Sequence, residues 1–322
     1  MILERLLDSL PTEPQIDISP KFHNEQYQNA LRHVHQNGEW VENERTGKRC
    51  LTWINLDFTY HIDMHRIDEH KVKIRLPLDT ARESYPISAM MEMQGYTIGL
   101  NNAGGFRKLG TTTWDRNANE NEDWLANPHR KGTDDMGRVY GIQGRSWAKP
   151  DGGHVDQLAD IVHDLSRGVD NRGEILNFYN PGEFHLGCLR PCLYSHQFSL
   201  LNKKLFINST QRSDDLPLGH NFNQVQVPYF LSTMGLATGN IPKVGFHKVI
   251  NAHFYEDQLP VIEEYAYLDR EVLDDPWLII DLNQPNTAGK TGIELLESFR
   301  KNNLQVVGYK HQGKIGTIPF TA

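Results

Sequence analysis

CLYSHQFSLLNKKLFINSTQRSDDLPLGHNFN, residues 192–223, carries the pattern that decides the fold. CLYSHQFSLL is rich in strand-forming residues, NKK is a tight polar turn, and LFINSTQRS returns as a second strand. Folding that hairpin about Asn202-Lys203 lays the start of the first strand beside the end of the second, so Cys192 falls next to Arg212. A thiol then sits beside a guanidinium, and a neighbouring cation favours the thiolate, the nucleophilic form of cysteine. Immediately downstream, HNFNQVQVPYFLSTMGLATG predicts a helix entered at Asn221 to Asn223 and ended at Gly239.

Outward from this segment, strands and helices mix without a regular βαβ alternation, which makes the class α+β. A helix is predicted from about Asn24 to Gln36, ending at Asn37-Gly38. NERTGKR (43–49) is a polar turn ahead of a strand-like run from Cys50 to Tyr60. Residues 86–98 and 154–167 read as helices. In the second, Val155, Leu158, Ile161, Val162 and Leu165 share one face and Arg167-Gly168 is a stop signal. Residues 281–303 read as a loop with one short helix. At the other end, Met1–Leu10 has helical apolar spacing, and PTEPQIDISPKF (11–22), with three prolines, reads as an extended linker. Residues 1–24 are therefore set apart from a main domain of residues 25–322.

Composition narrows the function. With 322 residues, 38% hydrophobic and 23% charged, the chain is expected to be a soluble globular protein with a sizeable core. No apolar run approaches the ~18 residues of a membrane span, and the charged N-terminal helix is unlike a secretory signal, so a cytoplasmic protein with no membrane partner is expected. Three cysteines (Cys50, Cys188, Cys192) make no disulfide framework and no structural zinc site, and no metal is called for. The net charge of -8 argues against nucleic acid as partner, and an anionic substrate needs a local arginine cluster acting against that field.

QRSDDLPLGHNFN (211–223), GCLRPC (187–192), YGIQGRSW (140–147), NAHFYEDQ (251–258) and NERTGKR (43–49) together resemble the thymidylate synthase family, in the family's order. The resemblance spans roughly residues 25–270 and reaches the final PFTA (319–322). It implies a thymidylate synthase-like fold, a mixed β-sheet packed by helices, with one sheet face forming a homodimer interface. It also implies one-carbon transfer from 5,10-methylenetetrahydrofolate to C5 of dUMP, with Cys192 adding to C6. Tyr140 matches the tyrosine that helps remove the C5 proton, and Asp215 the aspartate that binds the pterin ring. Strict spacing back from Gly95 in SAMMEMQG (88–95) puts Ser88 at the position of the family's proton-transfer glutamate. Glu92, one helical turn on and on the same face, is expected to substitute for it.

The same resemblance assigns Arg45, Arg212 and Ser213 to the phosphate, which favours bidentate cations. Arg172 matches an arginine donated across the dimer. The position after it, usually a second arginine, is Gly173, with Arg190 as a possible replacement contact. Gln211 lines the nucleotide site, and His253 and Tyr255 match the pair on the deoxyribose hydroxyl. Trp114, Leu189, Leu218, Gly219, Phe222 and Ala322 line the folate. Asn223 reads the base: an amide accepts from N3–H and donates to O4 of uracil, whereas relatives acting on cytosine carry aspartate there. This favours dUMP over dCMP.

The product depends on whether hydride or water reaches the exocyclic methylene first. Trp114 favours hydride transfer. Asp214 in place of cysteine, His220 in place of leucine, Ala322 at the terminus, the divergent segment 71–83 and Ser88 all point to a more polar, looser site. The expected activity is therefore water capture giving 5-hydroxymethyl-dUMP, with dTMP formation by hydride transfer as the alternative. A non-catalytic nucleotide- or folate-binding relative is a further alternative, against which the joint presence of Cys192, Tyr140, Asn223 and Asp215 speaks.

Overall fold

The computed structural model describes residues 2–44 and 46–321. Its main sheet runs in the order Glu39–Asn43, Lys48–His61, Ile241–Tyr255, Lys204–Gln211, Leu193–Leu201, Ile175–Asn177, and the short strand Asp214–Asp215 also pairs with Ile241–Tyr255. Ile241–Tyr255 lies parallel to Lys204–Gln211 and to Asp214–Asp215, and antiparallel to Lys48–His61. The sheet is therefore mixed and the class α+β, as the sequence predicts.

The 192–223 segment folds as read. Leu201 pairs with Lys204 across a two-residue turn in which Asn202 and Lys203 hold φ of 49° and 63°. That left-handed pair matches the twist of the flanking strands. At the other end Leu193 pairs with Gln211, so Cys192 and Arg212 face each other, with the Arg212 N–H donating to the Cys192 carbonyl at 2.9 Å.

The chain then leaves the sheet through Asp215. Its carboxylate caps the turn Leu216–His220 by accepting from the Leu218 N–H, and the helix Asn221–Thr238 follows. Gly239, at φ 72°, ends that helix where the sequence places the stop. The helix is apolar nearly all round (Val225, Val227, Phe230, Leu231, Met234 and Leu236 are buried) and forms the centre of the core beneath the sheet. Helices Phe22–Asn37, Pro86–Thr97 and Gln157–Ser166 also match their predicted positions to within a few residues. Pro86 opens the helix that carries Glu92, where its missing N–H costs nothing.

A second, antiparallel sheet, Leu304–Val307, Trp277–Asp281, Lys71–Arg75, His65–Arg66, lies apart from the first. The sequence reading contains no such sheet, although its helix within 281–303 is present at Gly292–Ser298. The N-terminal helix Ile2–Ser9 buries Leu6 and Leu7, and Leu10 just beyond it is buried too. The stretch after it is anchored: the Arg66 N–H donates to the Pro11 carbonyl at 2.8 Å and the Gln15 N–H to the Asp63 carboxylate at 3.1 Å. No helix among the described residues is long and apolar enough to cross a membrane.

Candidate active site

The loop 187–192 delivers Cys192 to the mouth of the hairpin. Arg212 is held there by its own bonds to that loop, Nε to the Pro191 carbonyl at 2.9 Å and Nη2 to the Arg190 carbonyl at 2.8 Å. Thus fixed, Nη2 lies 3.7 Å from Cys192 Sγ, the cation-to-sulfur approach that favours a thiolate. Cys192 is half-buried. Cys188, four residues earlier, is buried without such a partner, and burial pushes its thiol up to about 12.

Tyr140 stands at φ 38° at the start of a short helix, and its hydroxyl accepts the Cys192 N–H at 2.8 Å. Its ring stacks on Tyr96 at 4.6 Å and meets Trp114 edge-on at 5.6 Å. Burial, and then the nearby Cys192, raise the phenol well above its ordinary range, so it keeps its proton.

Glu92 projects from the helix Pro86–Thr97 into the same cluster. Burial raises its carboxyl, while hydrogen bonds from Tyr96, Thr113 and Gln226 work the other way. The Gln226 amide donates to Glu92 Oε2 at 2.7 Å and in turn accepts from Asn223 Nδ2 at 2.8 Å. Glu92 is thereby tied to the candidate base reader. Ser88, one turn earlier, bonds the Thr111 hydroxyl at 2.7 Å instead. Gln226 itself is absent from the motifs; the signal that could have found it is its place one helical turn after Asn223. A small enclosed cavity bounded by Tyr140, Leu193, His196, Asn223 and Gln226 separates these groups.

Asp215 forms the second pole of the site. Its carboxylate accepts from Gln258 Nε2 at 2.8 Å as well as from the Leu218 N–H, yet burial pushes it up to about 7. Leu218, Gly219 and Phe222 lie in the turn and helix start that follow, and Leu189 packs against the core from the cysteine loop. The parallel pairing of Asp215 with His253 brings the end of the central strand alongside, where His253 and Tyr255 meet edge-on at 5.1 Å.

Gln211 is buried at the end of its strand, and Ser213 follows in the break before Asp214–Asp215. Arg172 is exposed, at φ 70°, on the loop ahead of the edge strand Ile175–Asn177. Arg190 is also exposed, its guanidinium 5.0 Å from the Phe184 ring. Arg45 and Ala322 lie outside the described residues.

The polar substitutions Asp214 and His220 do not open the site. Both side chains are fully buried and bonded to each other at 2.6 Å, with the His220 ring stacked on Tyr27 at 5.4 Å and tilted against Phe58 at 3.9 Å.

Comparison with known proteins bears on the chemistry. Residues 25–319 match the family model described as thymidylate synthase. A thymidylate synthase of Vibrio vulnificus is 54% identical over 296 residues, 92% of this chain and 99% of that protein. Thymidylate synthases of Vibrio cholerae and Shewanella pealeana are 53% and 51% identical over the same shares. These similarities overturn the expected hydroxymethyl product: relatives more than half identical over nearly their whole length are thymidylate synthases. Part of the physical premise behind that expectation fails as well, because Asp214 and His220 bond to each other inside the core and do not line an opening for water.

Proposed function

The chain belongs to the thymidylate synthase family, and we propose that it converts dUMP to dTMP with 5,10-methylenetetrahydrofolate as co-substrate, leaving dihydrofolate. The observation that carries this reading is the Cys192 sulfur held 3.7 Å from a fixed guanidinium, within one cluster with Tyr140, Glu92 and Asn223.

Cys192 adds to C6 of the pyrimidine, and the electron pair released from the C5–C6 double bond makes C5 nucleophilic. The folate supplies the methylene that C5 attacks and the hydride that later reduces it to methyl. Tyr140 stays protonated and positions the acceptor that takes the C5 proton. Glu92, raised by burial and bonded through Gln226 to Asn223, exchanges a proton at the O4 side of the base. When the methyl forms, the C6–S bond breaks and its electrons return to Cys192. Asn223 and Gln211 hold the base edge. Arg212 and Ser213, with Arg45, take the phosphate; His253 and Tyr255 take the sugar hydroxyl.

The donor set fits the folate. Asp215 is a carboxylate with acceptor capacity beside the apolar Leu218 and Phe222, which suits a flat ring bearing adjacent N–H groups. Trp114 and Leu189 are assigned to the apolar lining of the same folate site.

The active form is a homodimer with Arg172 contributed to the partner's phosphate site. Arg172 is exposed, and Phe246 and Ile250 alternate on one uncovered face of the central strand, 43% and 38% exposed. The compartment is the cytoplasm, in keeping with cysteines that form no disulfide. Incubation with dUMP and 5,10-methylenetetrahydrofolate tests the reading: dTMP and dihydrofolate should appear in equal amounts. Binding of dUMP without any transfer of carbon would refute it.

A further inference from the structure

Asp214 and His220 begin a buried hydrogen-bond chain that ends on the base reader. His220 Nε2 lies 3.4 Å from the Tyr60 hydroxyl, which lies 3.3 Å from His247 Nδ1. His247 Nε2 is 2.8 Å from Gln211 Oε1, and Gln211 Nε2 donates to Asn223 Oδ1 at 3.0 Å. Beyond Asn223 the chain runs through Gln226 to Glu92.

Its direction follows from counting hydrogens. Gln211 Nε2 also donates to the Ser213 carbonyl at 3.1 Å, which fixes that amide with its oxygen towards His247. His247 must therefore carry its proton on Nε2. Burial and the neighbouring His220 keep its ring neutral, so Nδ1 is bare and takes the hydroxyl hydrogen of Tyr60. Tyr60 has only that one hydrogen, because burial prevents its ionisation and the bond to His247 commits it. Towards His220 the phenol can only accept, so His220 Nε2 must be an N–H. His220 Nδ1 meets Asp214 Oδ2 at 2.6 Å, a separation that requires a second hydrogen between them. The Asp214–His220 pair thus carries two protons and is neutral as a whole. Two further features agree. Asp214 Oδ1 is buried without a hydrogen-bond partner, so its charge needs a counterion at hand. His220 lies 3.9 Å from the Phe58 ring and 5.4 Å from that of Tyr27, where a cation over an aromatic face is stabilised.

We propose that Asp214 and His220 are positioning residues for base recognition: as an imidazolium–carboxylate pair they donate to Tyr60, commit its hydrogen to His247, and so act with the Ser213 carbonyl to hold the amide of Asn223 in the orientation that reads uracil. The inference rests on Asn223 being the base reader. Without Asp214, His220 loses its counterion and becomes neutral. The neutral ring can then hold its one hydrogen on either nitrogen. In the tautomer with a bare Nε2 it competes with His247 for the single hydrogen of Tyr60, which leaves the Ser213 carbonyl alone to hold the Gln211 amide and makes the reversed chain accessible.

The test has two arms. Imidazole 15N NMR of the wild-type protein should show both nitrogens of His220 protonated and His247 with hydrogen on Nε2 only; a neutral His220 with bare Nε2 overturns the proposal without any variant. In the second arm the ratio of dCMP to dUMP dissociation constants is measured. Asp214→Leu should reduce it about tenfold, the scale of one misdirected buried hydrogen bond, with mixed His247 tautomers. Asp214→Leu/His220→Leu removes the competing acceptor and should restore both the ratio and the single tautomer, which mere damage to packing would not do. A double variant no better than the single one, or a single variant with the wild-type ratio, overturns the proposal. Asn223→Ala serves as the control. If it leaves the ratio unchanged, the base-reader assignment fails and the inference with it. If it abolishes the ratio while Asp214→Leu does not, only the inference fails.

Discussion

Replacing Asp215 with asparagine should stabilise the protein at alkaline pH while weakening its hold on folate. Burial pushes this carboxyl from an ordinary 3.8 to about 7. The folded state therefore holds the proton more tightly than the unfolded chain, and the group's contribution to stability falls as pH rises from about 4 to about 7. Integrated between pH 5 and pH 8, with ~1.4 kcal/mol per pKa unit, the loss is on the order of 2–3 kcal/mol. Partial exposure of the side chain, and an amide N–H turned towards Gln258 where an oxygen now accepts, reduce the expected gain to about 2 kcal/mol. Denaturant midpoints of wild type and Asp215→Asn, taken at pH 5 and pH 8 at equal protein concentration, isolate the effect. The difference between the two proteins should widen by about 2 kcal/mol in favour of asparagine at the higher pH. Parallel profiles would show that Asp215 ionises without penalty and that its proposed tension between stability and folate binding does not exist.

Other outcomes follow from the same geometry. Cys192→Ala should abolish turnover, by more than about a thousandfold, while dUMP binding by calorimetry stays within a few-fold of wild type; activity within about tenfold would exclude the covalent route. Mixing inactive Cys192→Ala with inactive Arg172→Ala should regenerate activity after subunit exchange, and a monomer by light scattering would refute the shared site. Asn223→Asp should shift preference from dUMP towards dCMP, since a protonated carboxyl donates to cytosine N3 and accepts from its amine. Loss of dUMP turnover with no relative gain on dCMP would mean that the base is read elsewhere.

The central contact of the candidate site was legible because it is local. The pairing of Cys192 with Arg212 needs only the turn at Asn202-Lys203, and register arithmetic does the rest. The second sheet was not legible, because Lys71–Arg75 pairs with Trp277–Asp281, some two hundred residues away, and no local pattern encodes such a partner. Glu92 shows that a spacing argument depends on the glycine it is counted from. Gly95 is buried within the helix, where the Phe106 ring occupies the space a Cβ would need, whereas Gly99, at φ 73°, lies just past the helix end. Counted back from Gly99, the seven-residue interval that reaches Ser88 from Gly95 falls on Glu92 instead. Asp214 and His220 misled for a different reason. Each is an anomaly when read singly, and only in the fold does each become the other's partner.

The sheet order also bears on how a newly made chain acquires its activity. The hairpin of Cys192 and Arg212 closes over about twenty residues, but the strand that brings His253 beside Asp215 also pairs His253 with Thr52, about two hundred residues earlier. Loops that long close late, after local structure has formed. A refolding chain should therefore recover a reactive thiol before it can turn over substrate. During that interval it carries an activated sulfur on an unfinished pocket, open to oxidants and alkylating agents before it can turn over substrate.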